Sequence, residues 1–145
     1  MFTTESHTTI CIFIRPITAT RLSRIANVCI PVSDQDAMID FYVTTLGLEK
    51  RVDVPFDENM RWVEVGPADA ETTIALAPPP PGVATGNVQT GITLQTTDVD
   101  AVHAELKAAG VDVDAEVSRF GAPVPPMFWF RDPENNTLMI VEVTD

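Results

Sequence analysis

The residue types most often used for catalysis are scarce and scattered in this sequence. Its two histidines are His7, near the N-terminus, and His103, in a predicted helix. Its two cysteines, Cys11 and Cys29, match no zinc-ligand or Cys-x-x-Cys spacing, and Cys29 falls in a predicted strand, where a small buried residue is expected. Because no histidine is placed to activate a serine or a cysteine, the sequence predicts no nucleophilic triad or dyad.

Three charged residues remain as candidates for chemistry. Glu64 would serve as a general base if it were buried, although most glutamates are exposed. Arg61 and Arg119 are candidates to hold an anionic group of a ligand, because a guanidinium pairs well with a carboxylate. The alternative for each arginine is a surface ion pair, the usual role in an acidic protein. No catalytic residue is assigned, and whether the chain is an enzyme stays open.

The elements that position these residues form a pattern that occurs twice. Each half begins with a strand, continues with a helix and ends with three more strands. Ser33 and Thr97 each begin a Ser/Thr-x-x-Asp capping box, and Gly47 and Gly110 follow as C-terminal caps. This repetition predicts an internal duplication. The predicted strands are 25–32, 50–54, 61–65 and 72–77, then 92–96, 111–117, 127–131 and 137–143.

The stretch between the two repeats is rich in proline. Pro78 to Pro81 lack the amide hydrogens that a sheet requires, so we expect an extended linker over residues 78–89. The predicted organisation is an N-terminal arm (1–22), a first βαβββ module (23–77), the linker and a second βαβββ module (90–145). We predict an α+β fold in which the two tandem modules form a curved, cup-like mixed sheet with the helices outside.

The charge and hydropathy of the chain exclude two classes of partner. The formal net charge of −12 and the pI near 4.3 would repel nucleic acid and anionic membrane surfaces. The apolar runs are too short to span a bilayer. The first residues lack the basic cluster and long apolar core of a secretion signal, so we expect a cytoplasmic protein.

The pattern of residues 8–17 is compatible with an extra strand. We favour two other interpretations: an extension without a catalytic role, or an arm that pairs with another chain.

Three stretches together resemble one protein family. They are VSDQDAMIDFYVTTLGL (32–48), TTDVDAVHAELKAAGV (96–111) and FRDPENNTLMIVE (130–142), in this order around the duplication. The sequence is thereby similar to the vicinal oxygen chelate superfamily, which comprises glyoxalases, bleomycin resistance proteins and extradiol dioxygenases. The likeness covers about residues 24–144 and implies paired βαβββ modules whose strands form a cup. It is not specific to one activity.

In the metalloenzymes of that family, side chains inside the cup bind one divalent ion, which takes two neighbouring oxygens of the substrate. The resemblance places these ligand positions at Asn27, Ala75, Gly91 and Met139. One amide oxygen and one thioether are poor ligands for such an ion. We therefore expect no metal site and no cofactor, and we expect a structural or surface role for His103.

The resemblance to bleomycin resistance proteins implies a different use of the cup, as a cleft for a small organic molecule. Alternation along the strands then places Asn27 and Cys29, Thr93 and Gln95, and Met139 on the inner face. These residues are the predicted ligand contacts, together with the charged residues considered above.

Aromatic side chains are the other candidates to line the cup. Trp62 and Phe128 occupy matching positions in the two halves, and Trp129 faces the opposite side of its strand from Phe128. The sequence leaves open which of these last two lines the cup, and all three are residue types common in cores. Residues 55–61 and 119–127, which carry the two arginines, are expected at the rim as lids.

Three functions are compatible with the sequence. The first is metal-free binding of a small organic ligand. The second is a lyase, isomerase or dioxygenase-type enzyme with a non-standard site that uses Arg61, Glu64 or Arg119. The third is an interaction module whose cup is filled by its own side chains. We expect a homodimer, because edge strands favour pairing between chains.

Overall fold

Two four-stranded sheets, each with one helical region, form the described part of the chain. The computed structural model describes residues 21–144, so the predicted strand at 8–17, His7 and Cys11 lie outside the described residues. The first module contains β1 (Asn27–Pro31), α1 (Gln35–Ile39), a π-helical segment (Asp40–Thr45), β2 (Glu49–Asp57), β3 (Met60–Gly66) and β4 (Thr73–Ala77). The second module contains β5 (Gln89–Thr96), α2 (Val99–Ala108), β6 (Asp112–Val113), β7 (Met127–Arg131) and β8 (Thr137–Glu142).

The two sheets have the same topology. Their strand orders are β1-β4-β3-β2 and β5-β8-β7-β6. In each sheet the first strand runs parallel to the last, and the other neighbours are antiparallel. This arrangement confirms the predicted α+β fold of two βαβββ modules. Among residues 21–144 no strand ladder joins the two sheets within the chain, so β1 and β5 are both edge strands.

One hydrophobic core is shared by the helical segments and by one face of each sheet. Strand alternation places Val63 and Val65 of β3 in this core, and their neighbours in the strand on the opposite face. Phe41, from the π-helical segment, lies 6.4 Å from Phe130 of β7, measured between ring centroids. The helical region of the first module therefore packs against the sheet of the second. No helix within residues 21–144 is long and apolar enough to cross a membrane.

The helices begin one residue later than the predicted capping boxes. Asp34 and Asp98 are the N-caps, and the side chain of each accepts a hydrogen bond from the backbone N–H three residues further on, at 3.0 Å. The prediction that Ser33 and Thr97 start the boxes was wrong, because aspartate caps a helix as well as serine does. The first helix is also shorter than predicted, since its last turns widen into a π-helix before Gly47.

The predicted strand at 111–117 is reduced to the two residues of β6. The cause is Asp114, whose carboxylate accepts hydrogen bonds from the backbone N–H of Trp129 at 3.2 Å and from Arg131 at 2.8 Å. Because the side chain takes the acceptor role that a backbone carbonyl has in a ladder, the chain leaves the sheet here. It returns at Ser118, which forms an isolated bridge with Met127.

A buried polar cluster joins the two modules at the turn between β7 and β8. The carboxylate of Asp132 accepts from the Tyr42 hydroxyl at 2.8 Å and from Asn136 Nδ2 at 3.0 Å. It also accepts from the backbone N–H groups of Glu134 and Asn136, both at 2.9 Å. Burial, assisted by the charge of Asp132, raises the pKa of Tyr42 far above its usual range, so the phenol stays a donor.

The same turn also fixes α1 and the linker. The Glu134 carboxylate accepts hydrogen bonds from the backbone N–H and the hydroxyl of Ser33, both at 2.8 Å, at the start of α1. The Glu134 carbonyl oxygen accepts from the N–H of Asn87 at 3.0 Å. A Cβ at Gly86 would lie 2.9 Å from that carbonyl oxygen, and its φ of +82° also favours glycine. The turn is therefore the structural junction of modules and linker.

Candidate functional site

The face of the first sheet that points away from the core carries most of the predicted site residues of that module. Strand register aligns Val52, Glu64, Ala75 and Cys29 in one row across the four strands. Asn27 lies beside Thr73 in the neighbouring pair. We refer to this surface of the first sheet as the first open face.

A half-buried carboxylate is the centre of the first open face. Glu64 Oε1 accepts a hydrogen bond from Trp62 Nε1 at 2.7 Å, and Oε2 accepts one from the Thr73 hydroxyl at 2.7 Å. Both donors come from the same sheet, so the carboxylate is held in one orientation. An ionised carboxylate has about four acceptor positions, and two of them are used here. About two acceptor positions of Glu64 therefore have no hydrogen-bond donor from residues 21–144.

Cys29 is exposed on the same face, contrary to the expectation that it would be buried. The reason is that β1 is an edge strand and its neighbouring positions on the face are small. Partial burial raises the pKa of its thiol, so it is mainly protonated and a weak nucleophile near neutral pH. This environment supports a contact role for Cys29, and it gives no basis for a catalytic one.

The corresponding face of the second sheet, the second open face, is more neutral. Register places Thr93, Met139 and Trp129 in one row across β5, β8 and β7. A shallow cavity of about 300 Å³ lies over these three residues and Gly91. Gln95 is exposed further along β5. The structure thus brings together the predicted contacts of the second module, with Trp129 as their aromatic member.

Phe128 is not part of this surface, and its assignment as a ligand contact was wrong. It is 0% exposed and lies on the core face of β7, where the ring of His103 packs at 4.9 Å between centroids. His103 also has its Nε2 atom 2.7 Å from the Asp114 carbonyl oxygen, so it has the structural role that was predicted. Trp129 points the other way because side chains alternate along a strand.

The two arginines also differ from their predicted role as anion anchors. Arg61 lies on the side of β3 opposite Glu64, and its guanidinium contacts Asp53 at 2.8 Å and Asp36 at 2.7 Å. The hydrogen bonds from Arg61 and Lys50 lower the pKa of Asp53 to about 2. Because two carboxylates already neutralise Arg61, it is not available for an anionic ligand.

Arg119 is likewise engaged in a surface ion pair. Its Nη2 atom lies 2.6 and 2.5 Å from the two carboxylate oxygens of Asp100, near the start of α2. The following loop, with the exposed Phe120, borders a cavity of about 430 Å³ that also includes Glu142. This cavity is separate from both open faces, so the structure does not bring Arg119 to the other predicted contacts.

A third cavity lies between the modules, along the free edge of β5. It has a volume of about 540 Å³, and its lining is mostly apolar. Val28, Ile74, Ile92 and Leu94 contribute to it, together with the loop from Gly66 to Ala70 that links β3 and β4. Its position at an edge strand makes it a surface for packing against another element rather than an enclosed pocket.

A known protein family matches the sequence across both sheets. The model of the Glyoxalase/Bleomycin resistance protein/Dioxygenase superfamily matches residues 24–140. The chain belongs to this superfamily. The match spans both modules and confirms the resemblance inferred from the sequence.

Solved structures of the superfamily show the same fold. A member from Sphaerobacter thermophilus DSM 20745 is 37% identical, with 85% of this chain and 99% of that chain covered and a TM-score of 0.75. The antibiotic binding protein TnmS3 from Streptomyces sp. CB03234 is 33% identical, with 85% and 98% covered and a TM-score of 0.74. The fosfomycin resistance protein FosX from Listeria monocytogenes is 17% identical, with 85% and 95% covered and a TM-score of 0.65, which shows the fold alone.

The four positions that the resemblance assigns to metal ligands carry side chains that are poor donors for a divalent ion. Asn27 and Ala75 lie on the first open face, and Gly91 and Met139 on the second. Such an ion is normally held by carboxylates and imidazoles, and within residues 21–144 no group of three or more His, Cys, Asp or Glu side chains is placed to hold one. Gly91 also has a φ of +70°, at an irregular point of the β5–β8 ladder, where a larger ligand residue would be strained.

Sequence reasoning missed one member of the site, Thr73. It lies two residues before Ala75, so strand alternation alone would have placed it on the same face. Its contact with Glu64 depends on the register between β3 and β4, which the sequence does not reveal.

Proposed function

We propose that this protein binds a small organic molecule on its open faces and does so without the superfamily's divalent metal. The observation that carries the proposal is the placement of tryptophan. The chain has two tryptophans, Trp62 and Trp129, and both lie partly exposed on the open faces instead of in the core. Large aromatic surfaces that remain accessible are typical of ligand sites. The donor set at the four metal positions supports metal-free binding.

The relationship to TnmS3 supports the same proposal. That protein binds an antibiotic, is 33% identical and aligns with nearly its whole length to this chain. We expect the ligand here to be an organic molecule of comparable kind, larger than a simple metabolite. A surface that carries one tryptophan per sheet suits a molecule with an extended aromatic part.

We further propose that the protein is a homodimer in which the partner completes the cup. The first strands of both modules, β1 and β5, have free edges, which favours pairing between chains. The β2–β3 hairpin adds exposed apolar surface, with Val54 49%, Phe56 56% and Met60 36% exposed. Pairing of β1 with β5 of a second copy would join two four-stranded sheets and bring a first and a second open face together.

The domain boundaries and the location of the protein are part of this proposal. We place the working unit in the two modules, residues 23–77 and 90–145, with the proline-rich segment 78–89 as linker. We place the protein in the cytoplasm, where the exposed thiol of Cys29 is expected to stay reduced.

Native mass spectrometry of protein purified without chelator tests the metal, ligand and dimer proposals together. We expect the mass of a dimer without a stoichiometric metal, and an additional organic mass where ligand is retained. A thermal-shift screen of aromatic natural-product scaffolds is expected to find compounds that raise the Tm. A stoichiometric divalent metal would overturn metal-free binding. A screen in which no aromatic compound raises the Tm would overturn the binding proposal itself.

One observation favours the alternative of an enzyme with a non-standard site. The Glu64 carboxylate is half-buried and fixed by two donors, an arrangement that suits a general base. In that case Glu64→Gln would abolish turnover of a bound compound while leaving its affinity nearly intact. A binding protein would show no turnover with either form.

A further inference from the structure

We infer that the ligand carries a hydrogen-bond donor, best a cationic nitrogen, next to an aromatic ring, and that Glu64 and Trp62 select this combination. The inference rests on the proposed function and names the chemical class of its ligand. It reverses the expectation from the sequence that arginines would hold an anionic group.

The first step of the argument is the unused capacity of Glu64. Its two hydrogen bonds, from Trp62 and Thr73, fix the carboxylate but leave about half of its acceptor positions unused. Glu64 makes no ion pair with any residue in the range 21–144. A ligand that brings a donor to this carboxylate gains a charge-assisted hydrogen bond without a cost for orienting the acceptor.

The second step concerns the basic residues of the same hairpin within the described range, residues 21–144. The basic residues of its own hairpin are engaged elsewhere: Lys50 and Arg61 pair with Asp53, and Arg51 donates to two backbone carbonyls of the β3–β4 loop. The net charge of the chain is −12, and Glu64 is the charged residue of the row that it forms with Val52, Ala75 and Cys29. A carboxylate or phosphate on the ligand would be repelled, whereas a cation would be attracted.

The third step is the aromatic ring beside the carboxylate. Trp62 uses its indole N–H to hold Glu64, which fixes the ring next to the acceptor. Because the indole N–H lies in the ring plane, the edge of the ring faces Glu64, and the partly exposed ring offers an apolar surface beside the carboxylate. An aromatic part of the ligand can pack on the same surface and on Val54, which is opposite Trp62 in the β2–β3 register.

Isothermal titration calorimetry tests the inference by measuring the affinity of three probes that share one ring system. They are 2-naphthylmethylammonium, 2-naphthylmethanol and 2-naphthoate. We expect the affinity of the wild-type protein to fall in that order, with the ammonium at least about tenfold tighter than the carboxylate. In Glu64→Gln the ammonium is expected to lose about tenfold in affinity, and the difference between the three probes to become small. Added salt should weaken ammonium binding only in the wild type.

Glu105→Gln is the matched control, because it removes the same charge from an exposed position on α2. It is expected to leave the order and the affinities unchanged. Equal affinities for all three probes in the wild type would overturn the inference while leaving the binding proposal intact. An equal loss of ammonium affinity in both variants would also overturn it, because net charge alone would then explain the preference. Absence of binding by all three probes and by the wider aromatic screen would overturn the proposed function itself.

Discussion

Two carboxylates in this molecule, Asp132 and Glu64, have similar partners and different surroundings. Each accepts a hydrogen bond from an aromatic side chain of the first module, Asp132 from Tyr42 at 2.8 Å and Glu64 from Trp62 at 2.7 Å. Asp132 is 5% exposed and accepts four hydrogen bonds, which fills its acceptor positions. Glu64 is half-buried on an open face and accepts two.

The difference separates a structural carboxylate from one available to a ligand. The filled acceptor at Asp132 contributes to folding, because loss of that side chain would leave several buried donors without a partner. The half-filled acceptor at Glu64 contributes less to folding, because it has only two donors and one of them, the indole of Trp62, is partly exposed. The Asp-Pro turn that helped to identify the superfamily contains the structural carboxylate, Asp132. The sequence likeness in this region therefore indicates the fold and not a ligand.

The largest expected effect comes from breaking the filled carboxylate. Asp132→Ala removes the acceptor of four hydrogen bonds at the junction of the two modules. We expect the free energy of unfolding to fall by about 4 kcal/mol, measured by chemical denaturation. Asp69→Ala, in the exposed β3–β4 loop, is the control and should change it by less than about 0.5 kcal/mol. A loss below about 1 kcal/mol in Asp132→Ala would show that the cluster is not the junction described here.

A second, smaller effect concerns the donor to that carboxylate and depends on pH. The pKa of Tyr42 is raised in the folded protein, so between its ordinary value of about 10 and the raised value the folded state holds a proton that the unfolded state has lost. The contribution of protonated Tyr42 to the free energy of unfolding is therefore fully present below about pH 10, and it is lost as the pH rises above that value. Tyr42→Phe should cost about 2 kcal/mol at neutral pH and should remove this alkaline loss.

The measurement for Tyr42 is unusually direct, because it is the only tyrosine in the chain. Ultraviolet absorbance of the phenolate therefore reports this one group. We expect no phenolate signal from the folded protein near pH 11, and its appearance only together with unfolding. A phenolate titrating near pH 10 in folded protein would contradict the buried hydrogen bond to Asp132.

The fold could be predicted from the sequence because its signals are local. Two capped helices, strands with alternating apolar residues and a proline-rich linker each follow from short-range patterns, and their repetition defined the modules. The errors were also local. Asp34 and Asp98 took over the capping role, and the side chain of Asp114 ended β6 early, because competing hydrogen bonds from neighbouring polar residues are not visible in a pattern.

The site was only partly predictable because it depends on strand register and pairing. Alternation grouped Asn27 with Cys29 on one face of β1, but it left the choice between Phe128 and Trp129 open until the core face of β7 was known. The availability of Arg61 depended on two carboxylates from other elements. Such long-range pairing already engages Arg61 with two carboxylates, and no local signal in the sequence indicates it.

The smallest expected effect comes from changing Glu64, the carboxylate with only two hydrogen-bond donors. Glu64→Gln keeps the shape of the side chain and one acceptor oxygen for Trp62 or Thr73. The indole of Trp62 is partly exposed and can bind water, and the hydroxyl of the buried Thr73 can accept a hydrogen bond from the glutamine amide. We therefore expect the free energy of unfolding to change by less than about 1 kcal/mol. Denaturation of this variant beside Asp132→Ala measures the contrast directly. A loss of about 2 kcal/mol or more would mean that Glu64, like Asp132, holds the fold together, and the selectivity measured for naphthalene probes would then reflect a disturbed sheet.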